Sequence, residues 1–282
     1  MLNEIGEADM IPKTIHYCWF GKTELPNTAK ACIESWKKYF PDYEIKQWDE
    51  NSFDVNCCGY VQEAYLSKKW AFVSDYARFW ILYNYGGLYF DTDVEVIKDM
   101  QEIVKKGPFM GREPIDKHDP TLGQGVNPGL GIGANPGLSL YKEMLDFYDT
   151  IHFLNEDGTL NEKTVVFYTT NILKRHGLRK SPEIQNVEGI YVYPVDYFCP
   201  LNYQSGKLTI TDNTVSIHHY SASWNSKLDH IICMIEKCDP DNQRIEYKCR
   251  HLVSFPFRIV NRLKKTGLKN TLKYTIKKQK QC

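Results

Sequence analysis

The chain has 282 residues, 42% of them hydrophobic and 25% charged, and its 35 basic and 35 acidic side chains cancel to a formal net charge of zero. That length suits one substantial core in a single elaborated domain, and the balanced charge gives no reason to expect nucleic acid as a partner. Nine cysteines without a C-x-x-C pair fit reduced thiols, the opening MLNEIGEADMIPKT has neither a basic nor an apolar signal region, and no apolar run reaches about 18 residues, so a cytoplasmic chain without a secretion signal or membrane span is expected.

Residues 11–21, IPKTIHYCWFG, read as a first buried strand that closes at a glycine. In an open α/β sheet, ligands sit beyond the carboxyl ends of strands, which leaves Trp19 two roles: stacking on a nucleobase, or plain core. Asn27 is placed to cap a helix that runs to Tyr39 and ends at Pro41. A second strand is expected over 43–48 and a helix over 60–66. Strand, helix, strand, helix, strand is the order of a parallel sheet with crossover helices.

Residues 74–96 read SDYARFWILYNYGGLYFDTDVEV and hold the densest chemistry. Ala71, Val73, Ala77, Trp80, Ile81 and Tyr83 recur at mostly helical spacing, and Asp75 and Arg78 lie one turn apart on one face. Gly86-Gly87 stops the helix, and Leu88-Tyr89-Phe90 starts an apolar strand that carries Asp91 and Asp93 to its carboxyl end. Two residues apart on a continuing strand, these carboxylates face one spot, and either a divalent cation or solvent offsets their repulsion.

Further strands are expected over 94–97 and 107–111. The Gly-, Pro- and Asp-rich stretch 112–128 is long for a connector, so it reads as an acceptor-binding or lid segment or as a surface insertion. Residues 130–134, LGIGA, read as a small-residue strand. They lack the third glycine and the lysine of a phosphate loop, so the glycines are expected to let a substrate approach closely. A helix follows from Asn135-Pro136. Another spans 162–176, with Thr169, Thr170 and Asn171 as ligand contacts or, the favoured reading, an ordinary polar face. Strands over 190–193 and 215–217 flank a loop.

Residues 216–224, SIHHYSASW, form the second constellation. Alternation along a strand lets only one of His218 and His219 face the carboxylates, and it does not choose between them. Past Cys249 the chain is basic and apolar, with Leu252, Val253, Phe255, Phe257, Ile259, Val260 and Leu263 followed by seven lysines and no acidic residue after Glu246. Residues 1–249 therefore read as one catalytic domain and 250–282 as a basic amphipathic tail, either solvated or lying on anionic lipid.

The combination S-D-x-x-R, aromatic helix, G-G-x-Y and D-x-D resembles the DXD-motif sugar transferases of capsular polysaccharide loci, the yeast initiating mannosyltransferases and, more distantly, the large clostridial glucosylating toxins. The likeness covers residues 11–96 well and returns at 218–224. It implies a GT-A type, Rossmann-like α/β fold with a mixed, mostly parallel sheet flanked by helices. It further implies a retaining hexosyltransferase that takes a nucleotide-sugar, with uridine favoured, to a saccharide or lipid-linked glycan acceptor in capsular or surface polysaccharide synthesis.

By the same resemblance Trp19, Ser74 and Asp91 bind the nucleotide, and Asp75 and Arg78 bind the donor sugar. Asp93, His218 and Asp91 hold Mn²⁺ or Mg²⁺, and Trp224 sits near the departing diphosphate, joining Asp91 and Asp93 in catalysis. The alternative reading of Asp75 and Arg78 is an ordinary helix ion pair. Two rival functions are an aspartyl-phosphate phosphatase with Asp91 as nucleophile and a non-catalytic sugar-binding module. The location implied is the cytoplasm, with peripheral contact to the inner face of the membrane through the tail.

Overall fold

A computed structural model of the chain describes residues 10–114, 125–203 and 205–221 and, beyond these, residues 228, 231–232, 235, 250, 253–261 and 263. The expectations for Trp224 and for the lysines past residue 263 lie outside the described residues. Contacts group the chain into two compact units, residues 1–201 with 209–221 and residues 202–208 with 222–282. The sheet and all the candidate site residues that are described belong to the first unit.

Its elements in order are β1 (Thr14–Cys18), α1 (Asn27–Tyr39), β2 (Glu44–Trp48), α2 (Gly59–Leu66), α3 (Trp70–Tyr85), β3 (Gly87–Tyr89), β4 (Val94–Val96), α4 (Gln101–Lys106), β5 (Phe109–Arg112), β6 (Val126–Asn127), β7 (Ile132–Ala134), α5 (Ser139–Asp149), α6 (Val165–Arg175), β8 (Gln185–Val187), β9 (Ile190–Tyr193), α7 (Val195–Phe198) and β10 (Ser216–His218). One sheet has the order β2-β1-β3-β7-β5-β9-β8, with β6 on β5, and β10 pairs with β4 in a separate two-stranded sheet. β1, β2, β3, β5 and β9 point one way, while β6, β7 and β8 oppose them. The expected α/β layout, a mixed and mostly parallel sheet flanked by helices, is present.

Strand alternation distributes the core over both faces of this sheet. Ile15, Tyr17, Leu88 and Phe90 join α1 residues Ile33 and Trp36 in one cluster, whereas Cys18 and Tyr89 join α3, α5 and α6 residues such as Val73, Leu82, Tyr141 and Leu173 in the other. Two polar contacts then fix β4. The buried indole of Trp36 donates to Val94 O at 2.7 Å, and the Ser35 hydroxyl accepts from Val96 N at 2.9 Å. A buried indole N–H needs such a partner, so α1 holds the strand that follows the D-x-D.

The structure departs from the sequence expectations at several points. Pro26, not Asn27, is the N-cap of α1, with no side-chain cap bond. α4, α7 and β8 were not anticipated, and α7 lies inside the segment expected to be loop. Thr169 and Thr170 are buried, not on a polar face, and the Thr170 hydroxyl accepts from Val126 N at 2.8 Å, which ties α6 to β6. Gly131 and Gly133 make room for the protein's own rings: a Cβ would stand 2.7 Å from Phe90 at the first and 2.5 Å from Phe109 at the second. Those glycines serve the core, not a substrate.

Candidate functional site

The D-x-D does not continue a strand. β3 ends at Tyr89, residues 92–93 form a turn in which Val94 N donates to Asp91 O at 3.0 Å, and β4 begins at Val94. Convergence of the two carboxylates therefore comes from a turn joining two sheets. Antiparallel pairing sets His218 opposite Val94 and Ile217 opposite Glu95. This register brings the His218 imidazole to Asp93, with Nε2 3.2 Å from Oδ1. His219 points away and meets Glu95 Oε2 at 2.9 Å, which resolves the choice that alternation left open.

One ligating atom from each of Asp91, Asp93 and His218 lies within 4.8 Å of the other two. Asp93 is the most fixed of the three. Its Oδ2 accepts from Ser221 N at 2.8 Å and from the Ser221 hydroxyl at 2.9 Å, and its carbonyl accepts from His219 N. Burial alone would raise its pKa, but His218 and Ser221 outweigh that and hold the carboxyl far below the usual range. For His218, burial works against the charged ring, yet Asp93 and Asp91 raise its pKa above the ordinary value.

On the other side of Asp91 stands α3. The Arg78 Nη2 atom lies 2.9 Å from Asp75 Oδ1 and 3.2 Å from Asp91 Oδ1, and its Nε donates to Ser74 O. Tyr89 also donates to Asp91 Oδ1 at 3.2 Å, with the guanidinium over its ring. Asp75 and Arg78 are 7% and 3% exposed, so their pair is no solvated surface bridge. Burial pushes the Asp75 carboxyl up to about 7 despite Arg78, and burial likewise raises Asp91 against the pull of Arg78.

Gly129 completes the surroundings of Asp91. Asp91 N donates to Gly129 O at 3.3 Å, and a Cβ built on this glycine would fall 2.1 Å from Asp91 Oδ2. No larger residue leaves the carboxylate where it is. Asn127 accepts from Gly129 N at 2.7 Å and donates to Glu113 Oε2 at 2.8 Å. Trp19 is half-buried against the α1-side core, and its indole donates to Thr23 O.

The residues fit a divalent ion. Asp75 and Asp91 share a single guanidinium while Asp93 meets His218, and hard carboxylate oxygens with one imidazole suit Mn²⁺ or Mg²⁺. The Asp93 carboxylate, an acceptor only, keeps a proton on His218 Nε2, and the buried Nδ1 is among the side-chain atoms with no hydrogen-bond partner.

The sequence reading named Asp75, Arg78, Asp91, Asp93 and His218, and the structure brings all five together. It missed Tyr89, Glu113, Asn127, Gly129, Tyr220 and Ser221. Of these only Tyr89 and the Tyr220–Ser221 pair stood inside a recognisable pattern.

Comparison with known proteins follows this geometry. A family model described as the glycosyltransferase sugar-binding region containing the DXD motif matches residues 26–110. Inositol phosphoceramide mannosyltransferase 1 of Schizosaccharomyces pombe is 29% identical over 123 residues, 39% of this chain and 37% of that protein. Inositol phosphoceramide mannosyltransferase 2 of the same organism is 35% identical over 96 residues, 33% and 28% of the two chains. The chain thus spans about a third of the length of these relatives.

Among solved structures, the PaToxG glycosyltransferase shares 18% identity over 58% of this chain and 69% of its own, with a TM-score of 0.43. The galactosyltransferase LgtC, in complex with donor and acceptor sugar analogs, shares 15% identity over 83% and 99%, with a TM-score of 0.41. Over residues 26–110 the chain is similar to the DXD-containing sugar-binding region of glycosyltransferases.

Proposed function

We propose that this chain is a metal-dependent, retaining hexosyltransferase that moves a sugar from a nucleotide-sugar, with a UDP-hexose favoured, to a saccharide or lipid-linked glycan, in capsular or surface polysaccharide synthesis. The observation that carries the reading is the meeting of Asp91, Asp93 and His218, from a turn and a separate strand, beside the buried Asp75–Arg78 pair. Mannosyltransferase relatives keep GDP-mannose in the candidate set.

Transfer breaks the bond between an anomeric carbon and a diphosphate, and negative charge builds on the leaving phosphate. A Mn²⁺ or Mg²⁺ ion held by Asp91, Asp93 and His218 supplies Lewis-acid stabilisation of that charge. Ser221 keeps the Asp93 carboxylate ionised and aimed. Arg78 orients Asp91 and, with Asp75, offers charge-assisted hydrogen bonds to hydroxyls of the donor sugar. Trp19 and Ser74 receive the nucleoside, and the resemblance gives Trp224 a role toward the diphosphate. Same-face attack, with the leaving phosphate taking the proton of the incoming hydroxyl, gives retention without a carboxylate nucleophile.

The enzyme would work in the cytoplasm, at the inner face of the membrane where a lipid-borne acceptor is displayed. A hydrolysis and thermal-shift screen of UDP-glucose, UDP-galactose, UDP-N-acetyl sugars and GDP-mannose, with and without Mn²⁺, tests the proposal. Metal-dependent hydrolysis or stabilisation by one donor supports it, and indifference to every nucleotide-sugar overturns it.

A further inference from the structure

We propose that Glu113 is a positioning residue that ties the two arms of the Asp91–Asp93–His218 cluster together and thereby sets its affinity for a divalent ion. The inference rests on the metal-dependent reading of that cluster.

Glu113 follows β5, and its N–H donates to Gly125 O at 2.8 Å, prolonging the β5–β6 ladder. Its Oε2 receives hydrogen bonds from two directions. On one side, Asn127 Nδ2 donates at 2.8 Å, and the Oδ1 of the same amide holds Gly129 N at 2.7 Å. Gly129 in turn backs Asp91, whose carboxylate occupies the space where a Cβ would stand. This side therefore fixes the Asp91 arm.

On the other side, the Tyr220 hydroxyl donates to Glu113 Oε2 at 3.4 Å and contacts the Cys199 thiol at 2.9 Å. The Tyr220 ring stands edge-on to the His218 imidazole, 4.2 Å between centroids and 89° between planes. Tyr220 adopts φ of 49°, a left-handed conformation that side-chain-bearing residues enter uncommonly and that the surroundings must hold. That turn of the backbone lets His218 and Ser221 both reach Asp93 while the tyrosine between them reaches Glu113.

The contacts close a ring: Asp91, Gly129, Asn127, Glu113, Tyr220, His218 and Asp93. Asp91 and His218 come from different elements, and Glu113 is the group that accepts hydrogen bonds from both sides. Removing it takes away the link from Gly129 and Asn127 to Tyr220 and leaves the Asp93 contacts and the β4–β10 pairing to hold the ligand atoms at their mutual spacing. Partners of ligands, as opposed to ligands, commonly change metal affinity by about 10–100-fold.

The test uses the full chain with Glu113→Ala, Glu113→Gln and Tyr220→Phe, each checked for folding by circular dichroism. Mn²⁺ affinity is measured by electron paramagnetic resonance of free Mn²⁺. Separately, the His218 imidazole signal is followed by NMR in metal-free protein with isotope-labelled histidine. We expect Glu113→Ala to weaken Mn²⁺ binding at least about tenfold and to shift or broaden the His218 signal. Glutamine keeps the acceptor oxygen and should stay within about threefold of the parent. Tyr220→Phe should move both readouts in the same direction by less, which keeps the test decisive if the alanine variant does not fold.

A His218 signal unmoved by either Glu113→Ala or Tyr220→Phe overturns the tether. So does a glutamine variant as defective as alanine. A parent protein that binds no Mn²⁺ contradicts the metal reading instead, and the metal-free His218 signal still decides on the tether.

Discussion

Arg78 Nη2 lies 3.2 Å from Asp91 Oδ1, so a guanidinium on α3 that already pairs with Asp75 also grips the first carboxylate of the D-x-D. The Asp75–Arg78 pair and the Asp91–Asp93–His218 cluster are therefore one connected network. Asp91 cannot move without changing how Arg78 meets Asp75.

That link separates the two donor-side residues. Asp75→Asn should weaken a nucleotide-sugar at least about tenfold, the loss of a hydrogen bond to a charged group, while sparing the free nucleoside diphosphate. Arg78→Ala should weaken both, because it also releases Asp91, and should destabilise the fold by about 3 kcal/mol, since it leaves buried carboxylates without their cation. Calorimetric titration with donor and with nucleoside diphosphate checks the split. Equal losses from the Asp75 variant would remove Asp75 from sugar recognition.

His16 gives a stability prediction away from the site. Its Nδ1 accepts from the Trp48 indole at 3.1 Å, which leaves Nε2–H to donate to Gly86 O at 3.0 Å. Burial is the main cause that lowers its pKa to about 4. The folded pKa lies below the unfolded one, so the unfolded state takes up the proton first and stability is lost as pH falls from 6.5 towards 4. Between pH 7 and pH 5 the loss should be about 2 kcal/mol. Urea unfolding at the two pH values measures it, and in a His16→Gln variant this part of the slope should vanish.

Gly129→Ala places a methyl group within 2.1 Å of Asp91 Oδ2. The carboxylate must give way, whereas the sheet, which does not include this turn, need not. Mn²⁺ affinity should fall at least about tenfold with little change in the unfolding midpoint. Unchanged affinity would show that Asp91 is not a ligand.

The C-terminal segment bears on the membrane proposal. Residues 253–261 are helical, and Val253, Phe257 and Val260, spaced four and three apart, are exposed, while Ser254 and Asn261 are buried. An exposed apolar stripe, in a stretch whose sequence continues into lysines without acidic residues, is what the proposed contact with anionic lipid would use. No helix among the described residues is long and apolar enough to cross a membrane. Vesicles containing phosphatidylglycerol should sediment the protein at low salt and release it at high salt, and Val253→Ser with Phe257→Ser should abolish the effect. Equal sedimentation of parent and variant would exclude this stripe as the contact.

The sheet and the helices around β1, β2 and β3 were legible because apolar spacing, Pro41 and the Gly86-Gly87 stop are local signals. Asp75, Arg78, Asp91 and Asp93 stood out because chemistry and spacing coincide in one short stretch, whereas His218 was separated from His219 only by the family resemblance. The turn through Thr92 was not, since it depends on β4 leaving the main sheet to pair with β10, a contact spanning more than a hundred residues. Glu113, Asn127 and Gly129 were illegible for the same reason. Their importance lies in what they touch across β5, β6 and the D-x-D, and no periodicity records that. Gly131 and Gly133 misled because small residues give the same pattern whether they admit a substrate or a neighbouring phenyl ring.

The central claim is that Asp93 and His218 bind a divalent ion needed for nucleotide-sugar turnover. Its most direct test is donor hydrolysis and Mn²⁺ binding measured side by side for the parent, Asp93→Asn and His218→Ala, with and without excess chelator. The account predicts that chelator stops the parent, that added Mn²⁺ restores it, and that each variant loses at least about tenfold in Mn²⁺ affinity and in turnover while keeping its fold. Full turnover by the parent in excess chelator, or Mn²⁺ binding undiminished in both variants, would contradict it.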